Sequence, residues 1–252
     1  MKLRVLGSAG AEFPNFRPPA FLVDDRLLLD AGTIGSVLTE EEQWGIENIF
    51  ITHSHLDHIR AIPALADNIM VKSLSHTVKA FSIPDVIAAL REHLFNNIIW
   101  PDFSVIPTPD NPVISFETID TGVDYTVSGY LIRAIPVSHT VPAVGYRVCH
   151  GSTTLVYTGD TGPTEEIWRF VNGIDALIVE VSFPNDMETL ALLTKHLTCS
   201  LLAVELEKID RLPKRIFITH PKPQYYDIIR AEIERLGLKE IELLHDGAIF
   251  DL

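Results

Sequence analysis

The hexapeptide His53-Ser54-His55-Leu56-Asp57-His58 contains four side chains that are able to bind a metal ion. It directly follows the apolar run Ile46 to Ile51, which predicts a buried strand. In an extended or turning backbone, positions 53 and 55 point to the same side, so both imidazoles can converge on one ion. On a helix the two side chains would lie about 200° apart. Asp57 and His58 are then free to hold a second ion, and the stretch predicts a metal site rather than an ordinary polar loop.

Three more candidate ligands stand behind apolar runs of the same kind. Each run is short, ends in a hydroxyl residue and precedes a candidate ligand: Ile49 to Thr52 before His53, Ile135 to Ser138 before His139, Leu155 to Thr158 before Asp160, and Ile216 to Thr219 before His220. Such runs are typical of strands that are buried between layers. Ligands at the ends of several such strands would meet at one edge of the sheets, so we expect these side chains to converge.

Strands and helices alternate along most of the chain, which predicts an α/β protein with a single domain over residues 1–252. Residues 76–118 interrupt this alternation. Within them, Pro84 to Trp100 predicts a helix by its apolar spacing, and the proline-rich run Pro107 to Pro112 predicts a loop. We interpret this segment as an insert that covers the site or forms a contact between subunits of a homodimer.

The composition limits the classes of partner. The chain of 252 residues has 46% hydrophobic residues and a formal net charge of −14. Such a charge repels phosphate backbones, which argues against long nucleic acid as a partner, whereas a small anionic substrate drawn to a metal centre is compatible. No apolar run reaches the ~18 residues of a membrane span, and two cysteines do not suggest a disulfide framework. We therefore expect a cytoplasmic protein without a membrane partner.

The pattern His53-x-His55-x-Asp57-His58, followed by His139, Asp160 and His220 in that order, resembles the two-metal form of the metallo-β-lactamase superfamily. The resemblance spans essentially the whole chain and implies an αβ/βα sandwich of two mixed β-sheets with outer helices. It implies two divalent ions: one held by His53, His55 and His139, one by Asp57, His58 and His220, with Asp160 bridging them. These ligand types suit Zn²⁺, and also Mn²⁺ or iron. Asp30 is interpreted either as a turn carboxylate or as a partner that orients a metal-bound histidine.

Two further resemblances concern the reaction. The runs Ile178 to Phe183 and Lys195 to Thr198 are similar to the glutamate–histidine pair of tRNA 3′-processing endonucleases and related phosphodiesterases. The similarity implies that Glu180 orients His196, which would donate a proton to the departing oxygen. The run His93 to Phe103, together with Gly7 to Gly10, resembles class II cyclic-nucleotide phosphodiesterases. The tRNA-processing enzymes carry a basic arm that is not visible in this sequence.

These features predict a phosphodiesterase that hydrolyses 3′,5′-cyclic nucleotides with a hydroxide bridging two metal ions. We count Asp57, His196 and Glu180 as catalytic residues, and Asp30, Lys222, Trp100 and His93 as candidates for supporting or substrate contacts. Three other substrate classes stay open: RNA 3′ ends, other small phosphodiesters, and the lactones or other acyl compounds that the same fold hydrolyses.

Overall fold

The computed structural model of the chain describes residues 1–72 and 76–252 and contains two seven-stranded β-sheets with helices outside them. The strands are β1 (Lys2–Gly7), β2 (Ala20–Val23), β3 (Leu27–Leu29), β4 (Asn48–Phe50), β5 (Val78–Ser82), β6 (Pro107–Thr108), β7 (Asn111–Pro112), β8 (Ile114–Thr118), β9 (Asp124–Val127), β10 (Tyr130–Pro136), β11 (Val144–His150), β12 (Thr153–Tyr157), β13 (Ala176–Glu180), β14 (Arg215–Thr219), β15 (Ile241–Leu243) and β16 (Ile249–Asp251). The α-helices are α1 (Glu40–Trp44), α2 (Leu56–Ile59), α3 (Ile62–Val71), α4 (Pro84–Ala89), α5 (Glu188–Thr194), α6 (Cys199–Leu206) and α7 (Tyr226–Arg235).

Both sheets are mixed. The first has the strand order β16-β1-β2-β3-β4-β5-β8, in which β3, β4, β5 and β8 are parallel. The second has the order β15-β14-β13-β12-β11-β10-β9, in which β12 to β15 are parallel and the other neighbours antiparallel. The predicted αβ/βα sandwich of two mixed sheets is confirmed.

Three apolar layers hold the sandwich together, because the central strands bury both of their faces. The middle layer joins the two sheets and includes Phe50 from β4 and Tyr146 from β11, whose rings meet edge to face at 5.4 Å. One outer layer packs α3 and α4 on the first sheet, and the other packs α6 and α7 on the second. This arrangement explains why the strand sequences read as continuous apolar runs.

Local signals position several elements as expected. Thr39 caps α1 with a reciprocal capping box to Glu42, and the Thr198 hydroxyl accepts a hydrogen bond from the third residue of α6. Asp24 and Asp25 adopt φ values of 48° and 57° and close the predicted hairpin between β2 and β3. Helix α3 begins at Ile62, so Pro63 lies in its first turn, where proline is tolerated.

Two predictions within residues 76–118 are wrong in detail. The predicted helix from Pro84 to Trp100 ends earlier, since α4 continues only as a π-helical turn over Leu90–Leu94. The Asn96 side-chain oxygen then accepts hydrogen bonds from the backbone N–H groups of Ile98 and Ile99, which replaces helical pairing by a turn. The predicted loop from Pro107 to Pro112 is instead a short hairpin formed by β6 and β7.

The segment 76–118 also shares its two ends with the first sheet. Its first strand, β5, pairs with β4, and its last strand, β8, pairs with β5. Residues 76–77 and 83–113 therefore lie outside the first sheet, and Ile98 and Ile99 are 86% and 60% exposed. A covering or subunit-contact role for this segment stays a prediction.

The strands β4, β10, β12 and β14 all end at one edge of the sandwich, which we call the site edge. Strand β3 ends there too, because it is parallel to β4. Strand β1 runs in the same direction as β3, since both are antiparallel to β2. The loops that carry the candidate ligands therefore share this edge. Within residues 1–72 and 76–252, no helix has both the length and the apolar character needed to cross a bilayer.

Replacing Gly159, which follows β12 at the site edge, should destabilise the fold by a steric clash. Gly159 has φ +61°, and a Cβ there would lie 2.8 Å from Cβ and Cγ2 of Thr52. Gly122 has φ +76° with open space around it, so Gly122→Ala is a matched control for backbone strain alone. We expect Gly159→Ala to lower the free energy of unfolding by about 1–3 kcal/mol more than Gly122→Ala. Equal losses in urea titrations would contradict the clash.

Candidate metal centre

Four of the predicted ligands form one group at the site edge. Ligand atoms of His53, His55, His139 and Asp160 all lie within 4.8 Å of one another. Nε2 of His139 is 3.1 Å from Nδ1 of His55, and Nε2 of His53 is 3.7 Å from Oδ2 of Asp160. His53 and His55 belong to the extended segment between β4 and α2, so they share one side as the sequence predicted.

The other three predicted ligands form a second group beside the first. Asp57 and His58 lie on α2, and His220 follows β14. Oδ2 of Asp57 is 3.4 Å from Nε2 of His220. Oδ2 of Asp160 is 3.3 Å from Nε2 of both His58 and His220. Asp160 therefore contacts both groups, as a bridging ligand would.

In four of the five candidate ligand histidines, Nδ1 makes a hydrogen bond, which leaves Nε2 to face the centre. The Nδ1 contacts are His53 to the Thr52 hydroxyl at 2.9 Å, His58 to Asp30 Oδ2 at 2.7 Å, His139 to the Lys195 carbonyl at 3.1 Å, and His220 to the Ser182 hydroxyl at 2.8 Å. Such contacts fix the tautomer and the ring orientation of metal-binding histidines.

Asp30 supports the hexapeptide by hydrogen bonds from the interior of the protein. It is fully buried at the end of β3 and accepts hydrogen bonds from the backbone N–H and hydroxyl of Thr52 and from the Tyr157 hydroxyl, each at 2.8 Å. It contacts His58 directly and, through the Thr52 hydroxyl, also supports His53. Of the two interpretations of Asp30, the structure favours the partner that orients ligand histidines.

The donor set fits divalent cations. Nε2 of His53 and Nε2 of His58 are buried and have no hydrogen-bond partner in the described part of the chain. Burial lowers the pKa of His53, His55 and His139, which favours the neutral imidazole that metal binding requires. Burial raises the pKa of Asp160, but the neighbouring His220 and His58 lower it by more. The net pKa of Asp160 lies well below its usual range.

The pKa of His58 is shifted in the opposite direction to those of His53, His55 and His139. Burial lowers its pKa, but Asp160 and Asp30 raise it more strongly, so the net pKa lies well above the usual value. A cation at this position would therefore compete with a proton on His58.

The predicted catalytic pair adjoins the metal centre. Nδ1 of His196 is 2.6 Å from Oε1 of Glu180, and both side chains are buried. The His196 ring stacks on that of His220 at 5.4 Å and lies 5.1 Å from that of His139. Burial lowers the pKa of His196, but the carboxylate of Glu180 raises it, and the net shift is upward. His196 thus stands beside both ligand groups in a form that can carry a proton.

Ser182 is a site residue that the sequence analysis missed. Its hydroxyl lies 2.7 Å from Oε2 of Glu180 and 2.8 Å from Nδ1 of His220. Glu180 therefore holds His196 directly and His220 through Ser182. The spacing offered a signal, because residues 180 and 182 follow one extended stretch and share a face.

Lys195 was also missed as a site residue. Its backbone is left-handed, with φ 53°, at the end of α5. Its carbonyl contacts Nδ1 of His139, and its Nζ donates to the His139 carbonyl at 2.7 Å. Lys195 thus holds both the ring and the backbone of one ligand. Nothing in its local sequence distinguishes it from a solvated lysine.

The three candidates for substrate contacts have different surroundings. Lys222 donates its Nζ to the Gly10 carbonyl at 2.6 Å, so it supports the loop after β1. His93, on the π-helical turn, borders a cavity of about 200 Å³ together with Ser54 and Leu56 of the hexapeptide region. Trp100 is partly buried against the outer apolar layer of the first sheet.

Comparisons with known proteins agree with this geometry. A probable 3′,5′-cyclic-nucleotide phosphodiesterase from Yersinia pestis is 24% identical in an alignment of length 247 that covers 81% of this chain and 64% of that protein. Ribonuclease Z from Haloferax volcanii is 23% identical in an alignment of length 307 that covers 99% of this chain and 92% of that protein. The structure of unliganded yeast PDE1 matches with a TM-score of 0.83 and 16% identity, over 100% of this chain and 99% of the other. The chain thus spans less than two thirds of the Yersinia protein, and the structural likeness shows the fold.

Residues 26–220 match the family model of the beta-lactamase superfamily domain. Because this match covers most of the chain, the protein belongs to the beta-lactamase superfamily, and the predicted resemblance is confirmed. Its cluster of histidine and aspartate side chains indicates divalent ions as cofactors.

Removing the Ser182 hydroxyl should weaken metal binding. Ser182→Ala leaves the Nδ1–H of His220 without its partner, and loss of such a supporting contact typically lowers metal affinity about 10- to 100-fold. We expect this loss for one of two zinc ions per chain in a competition titration against a chromophoric chelator. Ser115→Ala on β8, where the hydroxyl contacts Glu117, is the control. Two unchanged zinc affinities in Ser182→Ala would show that His220 does not depend on Ser182.

Proposed function

We propose that this member of the beta-lactamase superfamily is a phosphodiesterase that acts on 3′,5′-cyclic nucleotides. The observation that carries the proposal is the His196–Glu180 pair, with 2.6 Å between Nδ1 and Oε1, beside His139 and His220 of the metal centre. Cleavage of a phosphodiester expels an alkoxide, which benefits from a proton as the bond breaks. A buried and charge-paired histidine beside the centre meets that need.

The residues at the site edge suit two ions. His53, His55 and His139 would hold one, Asp57, His58 and His220 the other, and Asp160 would bridge them. When bound, such ions supply a water-derived nucleophile at neutral pH and neutralise charge on the phosphoryl oxygens. Zinc is the ion that we expect, while manganese or iron suits the same ligand types.

Protein side chains supply the proton and the contacts to the substrate. Glu180 accepts the Nδ1–H of His196 and so directs Nε2 as the proton-donating atom toward the leaving oxygen. The raised pKa of His196 keeps that proton in place until it is needed. Asp57 is the most exposed carboxylate of the centre, with 31% of its side chain accessible, and so lies nearest to an incoming substrate. Lys222, Trp100 and His93 are proposed to contact the substrate.

The net charge of the chain and its sequence similarity to a known protein support a small nucleotide substrate. The net charge of −14 disfavours a long phosphate backbone. The Yersinia relative described above is named for 3′,5′-cyclic-nucleotide hydrolysis, and that substrate carries a single phosphodiester. Its leaving group is a ribose oxygen, which is an alkoxide of the kind that His196 would protonate.

RNA 3′-end processing is the second candidate. The observation in its favour is the match to Ribonuclease Z of Haloferax volcanii, which extends over nearly the whole of both chains. It predicts cleavage of a tRNA precursor and a retention on RNA that weakens steeply with salt. Neither is expected of an enzyme confined to cyclic nucleotides or other small phosphodiesters. A lactonase or other acyl hydrolase would instead hydrolyse a lactone and leave the phosphodiesters intact.

The dependence on leaving group tests the role of His196. In zinc-loaded protein, His196→Ala should lower kcat for 3′,5′-cyclic AMP or cyclic GMP by about 10²–10⁴. The same variant should lose much less on bis(p-nitrophenyl) phosphate, because p-nitrophenolate departs without a proton. Zinc content should be unchanged, since the proposal gives His196 no part in holding metal. His150→Ala, at the exposed end of β11, is the control.

Each other outcome decides against part of the proposal. Equal losses on the two substrates would mean that His196 is not the proton donor. Cleavage of bis(p-nitrophenyl) phosphate without any cyclic-nucleotide turnover would keep the phosphodiesterase and overturn its substrate. Hydrolysis of a lactone alone would overturn both.

A further inference from the structure

A cavity of about 200 Å³ lies at the site edge, directly beside the metal centre. Ser8 lines it and also accepts a hydrogen bond from the backbone N–H of His220, at 2.6 Å. The other walls come from Phe16, from Pro221 and Tyr226, and from the turn around Asp246 that joins β15 to β16. Pockets for whole drug-sized ligands hold about 300–1,000 Å³, so this cavity suits one ring system of a larger ligand.

Asp246 lines this cavity, and one of its carboxylate oxygens has no hydrogen-bond donor among the described residues. Its Oδ1 accepts hydrogen bonds from the backbone N–H and the hydroxyl of Ser8, both at 3.0 Å. Its Oδ2 is buried and has no hydrogen-bond partner among residues 1–72 and 76–252. The guanidinium of Arg17 stands 4.0 Å away, which is beyond hydrogen-bond distance. Holding the loop after β1 therefore requires only Oδ1, and a buried Oδ2 without a donor is costly.

Asn15 and His245 also line the cavity, and the remaining wall is aromatic and apolar. The rings of Phe16 and Tyr226 meet at 5.3 Å with an angle of 62° between their planes. Leu244 and Pro221 also line the cavity. Such surfaces bind the face of a nucleobase by stacking and apolar contact, whatever its identity. An acceptor at the margin then selects a base that presents an N–H donor.

We propose that this cavity binds the base of the substrate, and that Asp246 Oδ2 accepts a hydrogen bond from the exocyclic amino group of a purine. A purine is favoured over a smaller base because its fused rings fill the cavity and cover both aromatic side chains. The inference rests on the proposed function, since it takes the phosphate to lie at the neighbouring metal centre. It makes Asp246, Phe16 and Tyr226 the residues that determine base specificity.

Equilibrium binding to the zinc-loaded protein tests this inference without turnover. The first pair of ligands is AMP and purine riboside 5′-monophosphate, which differ only in the amino group. The second pair is GMP and IMP, which differ in the same way. We expect the amino-bearing member of at least one pair to bind about 10- to 100-fold more tightly, as for a hydrogen bond to a charged group.

Asp246→Asn should abolish that preference. The amide oxygen can still accept from Ser8, but an NH₂ donor then replaces Oδ2 and opposes the amino group of the base. Tyr226→Leu should weaken both members of a pair alike and leave their ratio intact. Asp251→Asn, at an exposed position in β16, is the matched control. A preference retained in Asp246→Asn would overturn the inference.

The wild-type measurement alone decides the case if the Asp246 variant does not fold. Equal affinities within both pairs would show that the cavity reads no amino group. If cyclic nucleotides are hydrolysed but both pairs bind equally, only this inference fails. If one pair is discriminated through Asp246 but cyclic nucleotides are not hydrolysed, the proposed function fails and the base site stands.

Discussion

Two buried carboxylates, Asp30 and Glu180, fix the geometry on which the site depends. Asp30 contacts His58 directly and supports His53 through the hydroxyl of Thr52. Glu180 contacts His196 directly and supports His220 through the hydroxyl of Ser182. Each carboxylate thus orients one imidazole by itself and a second one through a hydroxyl group. The first comes from the sheet that carries the hexapeptide and the second from the opposite sheet, so each half of the sandwich orients part of the cluster.

This arrangement explains what the sequence could and could not reveal about the site. The seven candidate ligands were recognisable because carboxylates and histidines follow apolar strands at a spacing that chance rarely produces. Ser182 could have been found from its spacing to Glu180 on one extended stretch. Lys195 was not recognisable, because lysine is common and its role arises only from the tertiary packing of α5. The role of Asp246 is harder still to predict from the sequence, since its partner Ser8 lies 238 positions away in the chain.

The fold shows the same division between local and distant causes. The capping box of α1 and the aspartates of the β2–β3 turn are local signals, and they placed those elements correctly. The helix predicted to reach Trp100 failed because apolar spacing continued beyond the point where the backbone left the helix. There the side chain of Asn96 bonds the following N–H groups, and this competition outweighs the periodicity. Apolar spacing at residues 94–100 reflects packing of Phe95 and Trp100 on the first sheet rather than helical turns.

The contact between Asp246 and Ser8 has a consequence for how the protein is made. The loop after β1 bonds the backbone of His220, but that loop is itself held by a residue that is synthesised after every ligand. Strand β16 then pairs with β1 and closes the first sheet with its last-made strand. On the ribosome the chain therefore carries all its candidate metal ligands before it has the residue that holds the loop bonded to His220. The support of His220 by the loop after β1 is therefore completed only when the first sheet can close.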